Sequence, residues 1–278
     1  MEKDTCAPRQ QHSGGAPEEL ALRGGLQGRM AGGFGALQSS VDALQRYLAC
    51  NAPPQLRQTA LDLLDDMTGR IALLYRLSCN AARLAAGAGM RGADEAAPLE
   101  LSGYLSALAG CANEELAMRG FAARIRLEGA GPLWVLGSAS LLDGIFTNLL
   151  SNLLCARTDG EMLLTLSPDR TLRYADNGPG MDPAAARALL EQGRPTAELL
   201  DRGALGLLLV REYAAALGWQ ITVEQGAGLR LCFRLPPQPD PAGLVLQDSA
   251  GDAVRRGILA ADLRRELDGV FGTPPRRP

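Results

Sequence analysis

The sequence predicts an α+β chain: an N-terminal antiparallel helical hairpin, then an α/β two-layer sandwich on a mixed sheet. Two observations carry this. Through the first third, apolar residues recur at alternating spacings of three and four, the period of a helix face. From 98 to 236, short stretches with strand alternation are interleaved with helical ones, which places helices on one mixed sheet. A length of 278 residues suits one sizeable core plus a smaller element.

Residues 1–17 mix Gln, Gly, Pro and charge and read as a disordered tail. Over 18–90, Leu26, Met30, Gly33, Leu37, Val41, Leu44 and Leu48 form one seam. Cys50-Asn51-Ala52-Pro53-Pro54 breaks it, and Ala60, Leu64, Met67, Ile71, Leu74, Ser78, Ala81 and Ala85 form a second. A lone hairpin of this kind leaves an apolar stripe uncovered, so a homodimeric four-helix bundle is expected, with packing onto the rest of the chain as the alternative. Gly87 to Ala97 reads as a linker. Helices are then expected over Leu101 to Met118, Leu141 to Arg157 and Gly206 to Leu217. Strands are expected at Arg124 to Glu128, Leu133 to Leu136, Met162 to Leu166, Thr171 to Ala175, Gln220 to Gln225 and Leu229 to Leu235. Residues 237–278 read as a Pro-rich tail around one helical stretch, Ala253 to Val270.

Composition narrows the function. Scarce aromatics and a formal net charge of −3 with no basic stripe argue against a nucleic-acid binder. Six dispersed cysteines with no C-x-x-C pair point to idle thiols in a reducing compartment. No apolar run reaches the ~18–20 residues of a membrane span, so a cytoplasmic chain is expected. Lys3 is the sole lysine.

Three motifs carry chemistry. Asn148 and Asn152 lie four apart on one helix, one turn above the other, flanking the apolar stripe of Leu142, Phe146, Leu149 and Leu153. A neutral amide oxygen there can ligate Mg²⁺, although two half-exposed asparagines would show the same spacing. Asp176-Asn177-Gly178-Pro179-Gly180-Met181 follows a strand, where ligand contacts collect. Asp176 can accept from an exocyclic amine, and Gly178 and Gly180 allow a tight turn against a flat ligand. Gly203-Ala204-Leu205-Gly206-Leu207 opens a helix whose free N–H groups suit phosphate.

In this order, the motifs resemble those of the histidine-kinase-like (Bergerat-fold) ATPase superfamily, and within it the sensor histidine kinases. Asn148-Leu149-Leu150-Ser151-Asn152 looks like the N box, whose second Asn holds the metal. Asp176 to Met181 is similar to the first glycine box, whose Asp reads adenine, and Gly203 to Leu207 to the second. The resemblance implies ATP and Mg²⁺ as cofactors, with Asn152 on the metal. The implied ATP site comprises Asn148, Asn152, Asp176, Gly178, Gly180, Met181, Gly203, Leu205, Gly206 and Leu207. It also implies a response-regulator or other signalling protein as partner.

The departures are specific. Ala204 stands where the second glycine box has its middle glycine, and Arg202 where it has its first. Cys155 replaces the basic residue expected three positions after Asn152, with Arg157 the nearest substitute. No phenylalanine motif is recognisable in Leu189 to Thr196. The acceptor stretch Gly33 to Ser40 holds neither His nor acid, and His12 is the sole histidine. These residues point to a chain degenerate for self-phosphorylation that acts as regulator or scaffold. An active kinase acting on a partner in trans is the alternative. An ATP hydrolase ranks lower, because Asn148 sits where those relatives carry a water-activating Glu, and an amide cannot act as that base.

Overall fold

A computed structural model describes residues 16–85, 87, 97–129, 131–193, 205–237, 263, 264 and 267. The chain divides into two compact units, 1–64 and 65–278.

The first unit holds helix α1 (Ala16–Asn51) and the start of α2 (Pro54–Ala85). Pro53 ends the first helix, and Pro54 opens the second at a position where its missing N–H costs nothing. Arg57 Nη2 donates to Ala52 O at 2.9 Å across the turn. Within this unit part of the seam is covered and part is left open, as expected of a lone hairpin. Val41 and Leu64 are buried, whereas Leu37 and Leu44 are 53% and 46% exposed. In the second unit the seam residues Met67 and Leu74 are likewise exposed. The disordered tail expected over 1–17 and His12 lie outside the described residues, apart from the start of α1.

The second unit is a two-layer sandwich. Its five-stranded sheet runs β2 (Arg124–Gly129), β4 (Glu161–Ser167), β5 (Thr171–Asp176), β7 (Arg230–Arg234), β6 (Gln220–Val223). β2 and β4 are parallel and the other pairs antiparallel, giving the expected mixed sheet. Met162, Leu164 and Leu166 alternate with half-buried neighbours, so one face of β4 meets the helices. Helices α3 (Leu101–Met118) and α4 (Ala139–Ala156) share that core with α6 (Leu205–Ala216) through Leu105, Leu116, Ile145, Leu149, Val210 and Ala214. A fully buried leucine such as Leu149 contributes ~1.5–3 kcal/mol. α4 has the length and apolarity of a membrane span, yet two thirds of it is buried inside this unit, as a core helix requires.

Three elements depart from expectation. The supposed linker ends in a strand, β1 (Ala97–Glu100), paired antiparallel with β3 (Trp134–Gly137). Four residues containing Pro98 carry too little alternation to announce themselves. A short helix, α5 (Pro183–Leu190), follows Asp182, whose carboxylate accepts from Ala185 N, and buries Leu189 and Leu190. From the supposed tail, Leu263 and Leu267 are 1% and 0% exposed in the core, and Arg264 Nε donates to Glu115 of α3. Most of Ala253 to Val270 lies outside the described residues.

Candidate functional site

The site is assembled where β5 ends beside α4 and the first turn of α6. Asp176 is the last residue of β5. Its Oδ1 accepts from Gly178 N at 2.9 Å and Leu229 N at 3.0 Å, and Tyr174 donates its hydroxyl to Oδ2 at 2.6 Å. One carboxylate thus fixes its own loop and the β6–β7 turn, and one lone pair on Oδ2 remains for an incoming donor. Tyr174 is buried; burial first, and then the Asp176 charge and hydrogen bond, hold its hydroxyl well above the usual phenol range. It stays a donor to the carboxylate.

The loop is tied down on both sides. Asn177 Oδ1 accepts from Glu161 N at 2.8 Å, and Asn177 N donates to Glu161 O. Gly228, with φ of 72°, lets the neighbouring turn close in: a Cβ there would sit 1.9 Å from Asp176 O. A Cβ on Gly178 would lie 3.5 Å from Leu153 Cδ1, so this loop rests against α4 next to Asn152. Gly180 adopts φ of 75°, and Met181 packs on the core edge.

The two asparagines differ. Asn148 is fully buried, correcting its expected place at the rim of the core; its Nδ2 donates to Gly144 O at 2.7 Å and its Oδ1 has no partner. The reason is α6, which covers that side of α4: a Cβ on Gly206 would lie 2.9 Å from Asn148 Oδ1. Asn152 is half-buried, and its Oδ1 accepts from Arg76 Nη2 of α2. Arg76 Nη1 also reaches Cys155 Sγ at 3.3 Å. Leu205 and Leu207 flank Gly206 at the start of α6, while Gly203, Ala204 and Arg202 lie outside the described residues. Arg157, the expected basic substitute, is engaged elsewhere, pairing with Asp159 at 3.0 Å and donating to Asn177 O.

Sequence reasoning missed Tyr174, Gly228, Arg76 and Asn80, the last buried one turn beyond Arg76 on α2 and facing Gly206. Tyr174 two residues before Asp176, on the same strand face, was a readable signal. The other three owe their places to contacts between distant segments.

The site suits an adenine nucleotide at one end, with a spare carboxylate acceptor beside glycine-lined backbone. At the other end it does not suit Mg²⁺ on Asn152. The ligand oxygen already accepts from a guanidinium, and unit charges ~4 Å apart interact by ~4 kcal/mol at an effective dielectric of about 20. A dication doubles that repulsion. Among the described residues no cluster of three or more His, Cys, Asp or Glu offers another metal site.

Residues 137–239 match the profile of the histidine kinase-, DNA gyrase B- and HSP90-like ATPases. The sensor protein kinase CarS of Pseudomonas aeruginosa is 35% identical over 96 residues, which cover 33% of this chain and 21% of that protein. Among solved structures, the ATP-binding domain of PrrB from Mycobacterium tuberculosis is 22% identical, with a TM-score of 0.40, over 52% of this chain and 98% of that one. The Acinetobacter baumannii histidine kinase AdeS is 14% identical, with a TM-score of 0.38, over 78% and 96%. The chain carries a histidine-kinase-like ATPase domain.

Proposed function

We propose that this chain binds ATP through the Asp176 loop and serves two-component-type signalling as a regulatory or scaffold subunit, without phosphorylating itself. The observation that carries the second half is the sequence of α1. Gly33 to Ser40 is helical and exposes small and hydroxyl residues, and it contains neither a histidine nor an acid to accept or move a proton. Ser39 and Ser40 turn their hydroxyls back to Gly35 O and Ala36 O, spending them on the helix. The partner is a response-regulator or comparable signalling protein. Exposed Leu37, Leu44 and Tyr47 on α1 supply apolar surface for a homodimer.

The test is incubation of the purified full chain with γ-labelled ATP, alone and with a candidate receiver protein. The expected result is no stable label on the chain and no phosphate release above background. An acid-labile label that His12→Ala removes would overturn the regulator reading, and label on the receiver alone would replace it with transfer in trans.

A further inference from the structure

Between α2, α4 and the start of α6, four polar side chains meet with more hydrogen-bonding capacity than partners. Arg76 is 6% exposed, and its Nε has no partner. Asn80, one turn further along α2, is 1% exposed and uses neither amide atom. Asn148 Oδ1 and Asn152 Nδ2 are also unpaired. A Cβ on Gly206 would lie 2.9 Å from Asn148 Oδ1, 3.1 Å from Arg76 Nη2 and 3.4 Å from Asn80 Nδ2, so these groups converge on the first turn of α6.

Among the described residues, no carboxylate pairs with Arg76. A guanidinium withdrawn from water without a counter-charge is among the costliest arrangements a fold can hold, and a bound anion removes that cost. The start of a helix adds partial positive charge to the same place. Arg76 Nε, Asn80 Nδ2 and Asn152 Nδ2 are three unused donors around it.

We propose that Arg76 and Asn80 form part of the polyphosphate site, with the Arg76 guanidinium standing where a divalent cation would sit at Asn152, so that a nucleoside triphosphate binds without Mg²⁺. The inference rests on the nucleotide reading above. It accounts together for the engaged Asn152 oxygen, the unpaired donors and the thiol at Cys155. The charge expected three residues after Asn152 is delivered instead from α2, within 3.3 Å of that thiol. Arginine suits the exchange, since its planar fork can hold Asn152 and leave Nε for phosphate.

Calorimetric titration of the full chain with ATP, once in EDTA and once in Mg²⁺, tests this. Wild-type dissociation constants should agree within about threefold, and Arg76→Met should lose about tenfold or more in EDTA, the scale of one charged hydrogen bond. Should Arg76→Met fail to fold, Asn152→Asp gives a second reading. Its carboxylate pairs with Arg76, raises the melting temperature and weakens ATP about tenfold in EDTA. Wild-type binding that requires Mg²⁺ overturns the inference and leaves the nucleotide reading standing. So does tighter binding by Arg76→Met, the mark of a blocking side chain, or by Asn152→Asp in Mg²⁺. Absence of ATP binding by the wild type in both buffers removes the nucleotide reading, and this inference with it.

Discussion

Asp176→Asn should damage stability and nucleotide binding by separable amounts. The carboxylate accepts three hydrogen bonds, from Gly178 N, Leu229 N and Tyr174 Oη. A hydrogen bond to a charged group is worth ~1.5–3 kcal/mol and a neutral one ~0.5–1.5. Losing the charge therefore costs about 1 kcal/mol per bond, or ~2 kcal/mol in all once partial exposure is allowed for. In a unit of this size that lowers the melting temperature by roughly 4–8 °C. Binding should fall further, because the new amide turns a donor toward the adenine amine; about 100-fold, or ~2.7 kcal/mol, is expected. Tyr174→Phe is the control, since it removes one donor to Oδ2 and leaves the acceptor facing the ligand. It should cost ~1.5–3 kcal/mol of stability, the worth of one bond to a charged group, and leave ATP affinity within about threefold. The assays are thermal unfolding by circular dichroism and calorimetric titration with ATP. Undiminished affinity in Asp176→Asn would refute the adenine contact, and an unchanged melting temperature would refute the structural tie.

Gly228→Ala should destabilise by at least ~2 kcal/mol, since φ of 72° and a Cβ 1.9 Å from Asp176 O leave no relaxed position for a methyl group; an unshifted urea midpoint would contradict it. Tyr104 and Tyr174 are held well above the usual phenol range, in each case by burial first and then by a carboxylate, Asp143 or Asp176. Phenols with raised folded-state values contribute stability that is complete below about pH 10 and is lost as the pH climbs toward those values. Tyrosinate absorbance at 295 nm should therefore show two of the five tyrosines ionising late, together with unfolding; all five titrating normally in a folded chain would contradict this.

The parts legible in the sequence are those governed by local rules. Leu101 to Met118 is helical over the expected residues, and the strands expected at Met162 to Leu166 and Thr171 to Ala175 form and pair antiparallel. Asp176 stands at a strand end because five residues of alternation placed it there. What escaped has long-range causes. Asn148 lies four residues from Asn152, yet a glycine-marked helix start 58 residues further on buries it. Gly228 reaches Asp176 only through the pairing of β5 with β7. Arg76 and Asn80 sit off the apolar seam of α2, where polar residues ordinarily face water, and only the fold sets them against α4. The exposed seam residues Leu37, Leu44, Met67 and Leu74 mark the same boundary: periodicity says which residues share a face, not what covers it.

Leu263 and Leu267 carry a wider meaning. They lie past residue 239, where the family match ends, yet they are buried in the same core cluster as the helices and the sheet. The inherited module is therefore larger in space than along the aligned sequence. When such a domain is moved from one chain to another, Leu263 and Leu267 must travel with it, because the core they are buried in would otherwise be left short of two leucine side chains.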